Sequence, residues 1–152
     1  MGIRRLTHLG ICVSDLDRSL AFYGEVLGCR EIGRFRDDDG YSAKLVEIDE
    51  VQLEAVYLER DGWRIELLSY PTPGTTGSSE RRPMNQLGLT HLSFVVDDLD
   101  AVLGAVRRHG GSVVEATRME ARATAIFVTD PDGTRIELIE RDGDPMVVPG
   151  SE

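Results

Sequence analysis

Apolar residues alternate with small or polar ones near the start of the chain: Leu9, Ile11 and Val13 interleave with His8, Gly10 and Cys12. A period of two predicts a strand over residues 3–13. The period then lengthens. Leu16, Leu20, Tyr23 and Leu27 recur at helical spacing, with Ser14 or Asp15 placed to cap the first turn and Gly28 placed to end the last. Three more strands are predicted near 30–36, 51–58 and 63–69. The succession then recurs. A strand over 89–96 precedes a helix with the stripe Leu99, Val102, Leu103 and Val106, stopped by Gly110 and Gly111. Strands near 112–117, 122–129 and 134–140 follow. Each half reads as βαβββ. The first half has extra residues at 40–50, GYSAKLVEIDE, where Tyr41, Leu45 and Ile48 share one helical face; a short helical insertion near the mouth of a site is expected.

The two halves are also spelled alike. THLGICVSDLD at 7–17 returns as THLSFVVDDLD at 90–100, and DGWRIEL at 61–67 returns as DGTRIEL at 132–138. Such internal repetition marks a duplicated structural unit. The expected organisation is a first module at 1–69, a linker at 70–88 rich in Pro, Gly, Ser and Thr, a second module at 89–141 and a loose tail at 142–152.

Strand alternation sorts the charged residues by face. Leu9, Ile11 and Val13 are expected against the helix, so His8 faces the other way; Leu92, Phe94 and Val96 do the same for His91. In the closing strands Ile65 and Leu67, then Ile136 and Leu138, are expected against the helices, which turns Glu66 and Glu137 to the opposite face together with Arg64 and Arg135. In the strand at 51–58, Leu53, Ala55 and Tyr57 are expected on the helix side, leaving Glu54 on the far side with Gln52 and Val56. Two readings fit this pattern. A sheet with one face in water shows the same alternation. Alternatively, if the modules pair side by side, two His and two Glu converge as a metal site. Arg64 and Arg135 either orient carboxylates, meet an anionic substrate or reach solvent. Arg81 and Arg82 read as a solvated linker pair, and His109 as a helix-end residue.

Totals narrow the field. A chain of 152 residues with 41% hydrophobic and 29% charged content fits one globular domain or two small modules sharing a core. No apolar run is long enough to cross a membrane, and MGIRRLTHLG lacks the apolar core of a secretory signal, so a cytoplasmic location is expected. With 27 acidic against 17 basic residues the net charge is −10, which disfavours nucleic acid as a partner. The two cysteines, Cys12 and Cys29, are too few for a disulfide scaffold and spaced unlike a zinc knuckle. Both are expected as small buried or half-buried thiols.

THLGICVSDLDRSLAFYGEVLG, WRIELLSY, THLSFVVDDLDAV and DPDGTRIELIE together resemble the vicinal oxygen chelate superfamily, which includes glyoxalase I, methylmalonyl-CoA epimerase, extradiol dioxygenases and the fosfomycin and bleomycin resistance proteins. The resemblance runs over roughly residues 3–141. It implies an α+β fold in which two tandem βαβββ modules form a curved, cup-shaped mixed sheet with helices on the outer face. It also implies one divalent metal ion in the cup, held by His8, Glu66, His91 and Glu137, and a homodimer in which the cup forms within one chain or across two.

Two imidazoles and two carboxylates admit Ni, Co, Zn, Mn or Fe. Four protein ligands on an octahedral ion leave two positions, which suit a small molecule presenting two vicinal oxygens. Lewis acidity at a carbonyl then favours removal of the neighbouring proton through an enediolate. The resemblance implies Glu137 as ligand and base; Glu54 loosely matches the epimerase base of the family. The expected activity is a metal-dependent isomerase or lyase, glyoxalase I-like or acyl-CoA epimerase-like. The alternatives are an Fe(II) dioxygenase of the extradiol type, which Glu66 would obstruct by filling a third open position, and a non-catalytic drug-binding protein, a class that tends to lose the ligands.

Overall fold

The computed structural model describes residues 2–147; of the expected tail, residues 148–152 lie outside them. The chain divides into two compact units, Met1–Ser78 and Ser79–Glu152. Each contains a mixed sheet, and the helices are few and short, which is the βαβββ layout expected from the periodicities.

In the first unit, β1 (Leu9–Cys12) leads to α1 (Leu16–Glu25), then β2 (Arg30–Asp37), α2 (Ala43–Val46), β3 (Gln52–Arg60) and β4 (Trp63–Thr72). The sheet order is β1-β4-β3-β2, with β1 parallel to β4 and the other pairs antiparallel. Strand β1 is shorter than the expected 3–13 because pairing begins only where Leu9 meets Ile65. Asp15 is the cap of α1, accepting the Arg18 amide at 2.9 Å. The helix buries Ser19, Phe22 and Tyr23, and Ile65, Leu67, Leu58 and Val56 are buried with them. Cys29 is half-buried, and burial pushes its thiol above the usual range. Cys12 is exposed rather than buried, because β1 is the edge strand.

The insertion forms the single turn α2, with Tyr41 and Leu45 exposed. Its approach is organised by the buried Asp37. That carboxylate accepts the amides of Asp39 at 3.1 Å and Tyr41 at 3.0 Å, and also that of Ser42. The Ser42 amide, above all, holds the Asp37 carboxyl below the ordinary aspartate range.

In the second unit, β5 (Leu92–Val96) leads to α3 (Leu99–Arg108), the two-residue β6 (Ser112–Val113), a 3₁₀ turn (Glu115–Thr117), β7 (Met119–Glu120), β8 (Thr124–Thr129) and β9 (Arg135–Glu140). The order β5-β9-β8-β6, with β7 also pairing β8, again sets the first strand parallel to the last. Asp98 caps α3 through the Ala101 amide at 2.9 Å. Leu99, Leu103 and Val106 are buried, as are Ile126, Val128, Ile136 and Leu138. The strand expected at 112–117 breaks after Val113. The Thr117 hydroxyl takes the Phe127 amide at 2.9 Å and donates to the Val114 carbonyl at 2.7 Å, so a side chain does work that a ladder bond would otherwise do.

The repeated Asp-Gly pairs make two different turns. Asp61 (φ 52°) and Gly62 (φ 80°) form a tight hairpin between Arg60 and Trp63, with both central residues left-handed as a type I′ turn requires. The second copy lies in the longer loop Asp130–Thr134, where Asp130 accepts the amides of Asp132 and Thr134 at 2.9 and 2.7 Å. Gly133 (φ 88°) is pressed against the Ser79 carbonyl, whereas open space surrounds Gly62. Among the described residues no helix is long and apolar enough to cross a membrane.

Gly62→Ala is expected to lower stability by about 1–2 kcal/mol through backbone strain alone. Gly133→Ala adds a clash with backbone and should cost clearly more, read as a larger fall in the urea midpoint. The Asp37 contribution has a definite sign. A depressed folded pKa stabilises above the ordinary aspartate value of about 3.9 and is lost as pH falls through the folded value. The stability gap between the native chain and Asp37→Asn should therefore be largest near neutrality and close under acid.

Candidate metal centre

Each unit places one imidazole against one carboxylate, and parallel pairing is the reason. In the first unit Gly10 lies beside Glu66, so His8, just before β1, shares the face of Glu66. His8 Nε2 is 3.1 Å from Glu66 Oε2. In the second, Ser93 lies beside Glu137, and His91 precedes β5 in the same way. His91 Nε2 is 3.7 Å from Glu137 Oε2. All four side chains are half-buried, between 14% and 35% exposed, so each pair is open to a ligand from water.

The surroundings of the two imidazoles are also duplicated. The preceding threonine holds Nδ1 in both: Thr7 Oγ1 at 3.1 Å from His8 and Thr90 Oγ1 at 2.9 Å from His91. An aromatic ring meets each imidazole edge to face, Tyr57 at 5.4 Å and 75°, Phe127 at 5.3 Å and 77°. These rings come from the strand beside the Glu: Tyr57 is opposite Glu66 and Phe127 opposite Glu137. With Nδ1 donating to threonine, Nε2 turns a lone pair toward the carboxylate, as a metal-ligating histidine does. With the proton on Nε2, the His8–Glu66 pair is an ordinary hydrogen-bonded contact, while His91 and Glu137 stand just beyond hydrogen-bond distance. Two donors about 2.1 Å from one divalent ion, at right angles, lie about 3 Å apart, so the His8–Glu66 spacing fits a shared ion directly and the wider His91–Glu137 spacing fits a larger ligand angle. Among the described residues no group of three or more His, Cys, Asp or Glu is disposed to hold a metal; each unit taken by itself offers two ligands.

The carboxylates differ in what else holds them. The Glu66 carboxylate facing the Tyr57 hydroxyl, with partial burial, pushes the phenol up to about 12. Glu137 instead accepts from Ser93 Oγ at 2.7 Å. Gly10 stands at the corresponding place in the first unit, where an added Cβ would meet Leu68 at 3.3 Å and Glu66 Oε2 at 3.9 Å.

The face assigned to Glu54 is corrected by the register. Tyr57 pairs with Glu66 and Val56 with Leu67, so the face of Glu66 carries Tyr57 and Ala55, while Glu54 shares the side of Val56 and Leu58. There it is ion-paired with Arg34 at 2.7 Å. Counting from the hairpin gives the right answer: a two-residue turn at Asp61-Gly62 sets Arg60 opposite Trp63, and hence Tyr57 opposite Glu66. Tyr57, Phe127, Ser93 and the paired threonines are the residues that sequence reasoning passed over. The repeated T-H dipeptide was the available signal for the threonines. Arg64 is exposed near the hairpin, whereas Arg135 lies with its guanidinium over Phe127, 5.2 Å from the ring centre.

Residues 5–138 match the profile of the Glyoxalase/Bleomycin resistance protein/Dioxygenase superfamily. The lactoylglutathione lyase of Salmonella typhimurium is 33% identical over 144 residues, covering 90% of this chain and 92% of its own length. A glyoxalase family protein from Bacillus cereus is similar in fold, with a TM-score of 0.81 at 23% identity, over 94% of this chain and 97% of that one. The fosfomycin resistance protein FosX of Listeria monocytogenes, solved with Mn(II) and sulfate, has a TM-score of 0.58 at 17% identity, over 95% and 98% of the two chains.

Proposed function

The chain belongs to the Glyoxalase/Bleomycin resistance protein/Dioxygenase superfamily, and from that membership we propose that it is a divalent-metal-dependent lyase of the glyoxalase I kind. Its substrate is a 2-hydroxyacyl thioester, or the isomeric thiol adduct of a 2-oxoaldehyde. The relative named lactoylglutathione lyase supports this class, because lactoylglutathione carries a hydroxyl and a carbonyl oxygen on adjacent carbons. The observation that carries the reading is the duplicated set of threonine, imidazole, edge-on aromatic ring and carboxylate. A merely solvated sheet face has no reason to repeat all four.

In this reading His8, Glu66, His91 and Glu137 together hold one first-row divalent ion, either within a chain or by pairing the modules of two chains in a homodimer; a cytoplasmic location belongs to the same proposal. When bound, the ion supplies Lewis acidity to the two substrate oxygens and makes the carbon-bound proton between them easier to remove. The chain supplies the rest. Thr7 and Thr90 fix the imidazole planes. Tyr57, directly opposite Glu66 on the neighbouring strand, presents its hydroxyl to that carboxylate. Glu137 is the base. Ser93 Oγ donates to its Oε2, which leaves Oε1 to take the proton from one carbon and return it to the next.

Purified protein should carry about one divalent ion for every His8, Glu66, His91 and Glu137 set, and chelation should abolish turnover of a thiol adduct of a 2-oxoaldehyde. Glu137→Gln should lower kcat by about 10²–10⁴ and suppress exchange of the substrate carbon proton with deuterated solvent. Glu54→Gln, on the other face, should change kcat less than about threefold. Full turnover in metal-free protein would refute the lyase reading.

A further inference from the structure

A neutral imidazole carries one proton, and His8 and His91 each have a choice of nitrogen for it. Thr7 and Thr90 meet Nδ1, and a hydroxyl can donate to that nitrogen or accept from it. The choice therefore falls to Nε2 and to what faces it. In the first unit Glu66 Oε2 is 3.1 Å from His8 Nε2. A carboxylate oxygen offers only lone pairs, and a nitrogen lone pair aimed at it from that distance is repelled. A proton on His8 Nε2 turns the same contact into a hydrogen bond.

In the second unit the corresponding oxygen is already served. Ser93 Oγ donates to Glu137 Oε2 at 2.7 Å, and His91 Nε2 stands off at 3.7 Å. The closer partner of the ring is Thr90 Oγ1, 2.9 Å from Nδ1. One side chain accounts for the contrast. Positions 10 and 93 are equivalent: Gly10 lies beside Glu66 and Ser93 beside Glu137, each on the parallel strand. Glycine has no hydroxyl to offer, and Glu66 turns its Oε2 to the imidazole instead. The Tyr57 hydroxyl also faces Glu66, but it comes from the antiparallel strand and leaves the imidazole contact at 3.1 Å.

We propose that Ser93 is a positioning residue that selects the tautomer of His91. By donating to Glu137 it takes the place of an Nε2 proton, so His91 carries its proton on Nδ1, toward Thr90, and keeps the Nε2 lone pair open. His8, with glycine at position 10, carries its proton on Nε2, toward Glu66. The two halves are then unequally prepared. His91 can accept a divalent ion without moving a proton. His8 must first exchange its Nε2 proton, through water, for one on Nδ1, where Thr7 stands to accept it. That consequence rests on the reading of the four side chains as ligands of a metal-dependent lyase; the tautomers do not.

The test reads both imidazoles by nitrogen NMR of the full chain, stripped of metal, at a pH of about 9, well above the ordinary histidine value of about 6.5. The forms compared are the native chain, Ser93→Ala, Ser93→Thr and Gly10→Ser. The native chain is expected to show the Nδ1–H tautomer at His91 and the Nε2–H tautomer at His8. Ser93→Ala should move His91 to Nε2–H, and Ser93→Thr, which keeps the hydroxyl, should not. Gly10→Ser should move His8 the opposite way. An added Cβ there meets the tip of the Leu68 side chain at 3.3 Å and Glu66 Oε2 at 3.9 Å, so the new hydroxyl has its acceptor at hand. Titration with Zn²⁺ gives the second readout: Ser93→Ala should weaken binding about 10-fold, Ser93→Thr should restore it and Gly10→Ser should strengthen it. An Nε2–H tautomer at His91 in the native chain, or tautomers unmoved by both Ser93→Ala and Gly10→Ser, would overturn the assignment. A chain that shows the expected tautomers and binds Zn²⁺ yet turns over no thiol adduct would refute the lyase reading and leave the role of Ser93 standing.

Discussion

The pairing of each module's first strand with its last, in parallel, is the constraint on which the rest depends. A hairpin would have set the end of one strand against the start of the next. Parallel pairing instead sets start beside start: the residue preceding β1 reaches the early part of β4, and the residue preceding β5 reaches the early part of β9. Histidine and glutamate then meet across one strand spacing with no loop to order. The helix between them is what a parallel crossover needs, and its buried face covers the apolar side of the same strands.

Much of this was legible because it was written twice. Most strands, both longer helices, the cap of the first helix, and the shared face of His8 with Glu66 and of His91 with Glu137 followed from two periods and a repeat. The failures were local and physical. Alternation in β3 has no anchor for its phase at the Leu53 end; the tight turn at Asp61-Gly62 anchors it from the other end and puts Glu54 on the side of Val56 and Leu58. The break after Val113 depends on one threonine hydroxyl substituting for ladder bonds, which no periodicity reports. Pairwise contacts such as Tyr57 with Glu66 come from cross-strand register, so they become visible only when the register is known.

The two halves are alike in frame and different in detail. Each imidazole has its threonine and its ring, yet the carboxylates are steadied differently. Tyr57 reaches Glu66 from the neighbouring strand, whereas Ser93 reaches Glu137 from the parallel one, at the place where the first unit has Gly10. Duplication supplied two matched carboxylate positions, and small substitutions around them gave each a different neighbour.

The contact between Gly133 and Ser79 bears on the chain as a tether. Strand β4 ends at Thr72, and the backbone is held again from Ser79 onward. Six residues, 73–78, separate these two stretches, and such a segment reaches about 20 Å when drawn out fully. Docking of the following residues thus shortens the leash that an apparently long linker would provide. A short connection bounds how far one repeat can be drawn from the other, and lengthening it would relax that bound without touching His8, Glu66, His91 or Glu137.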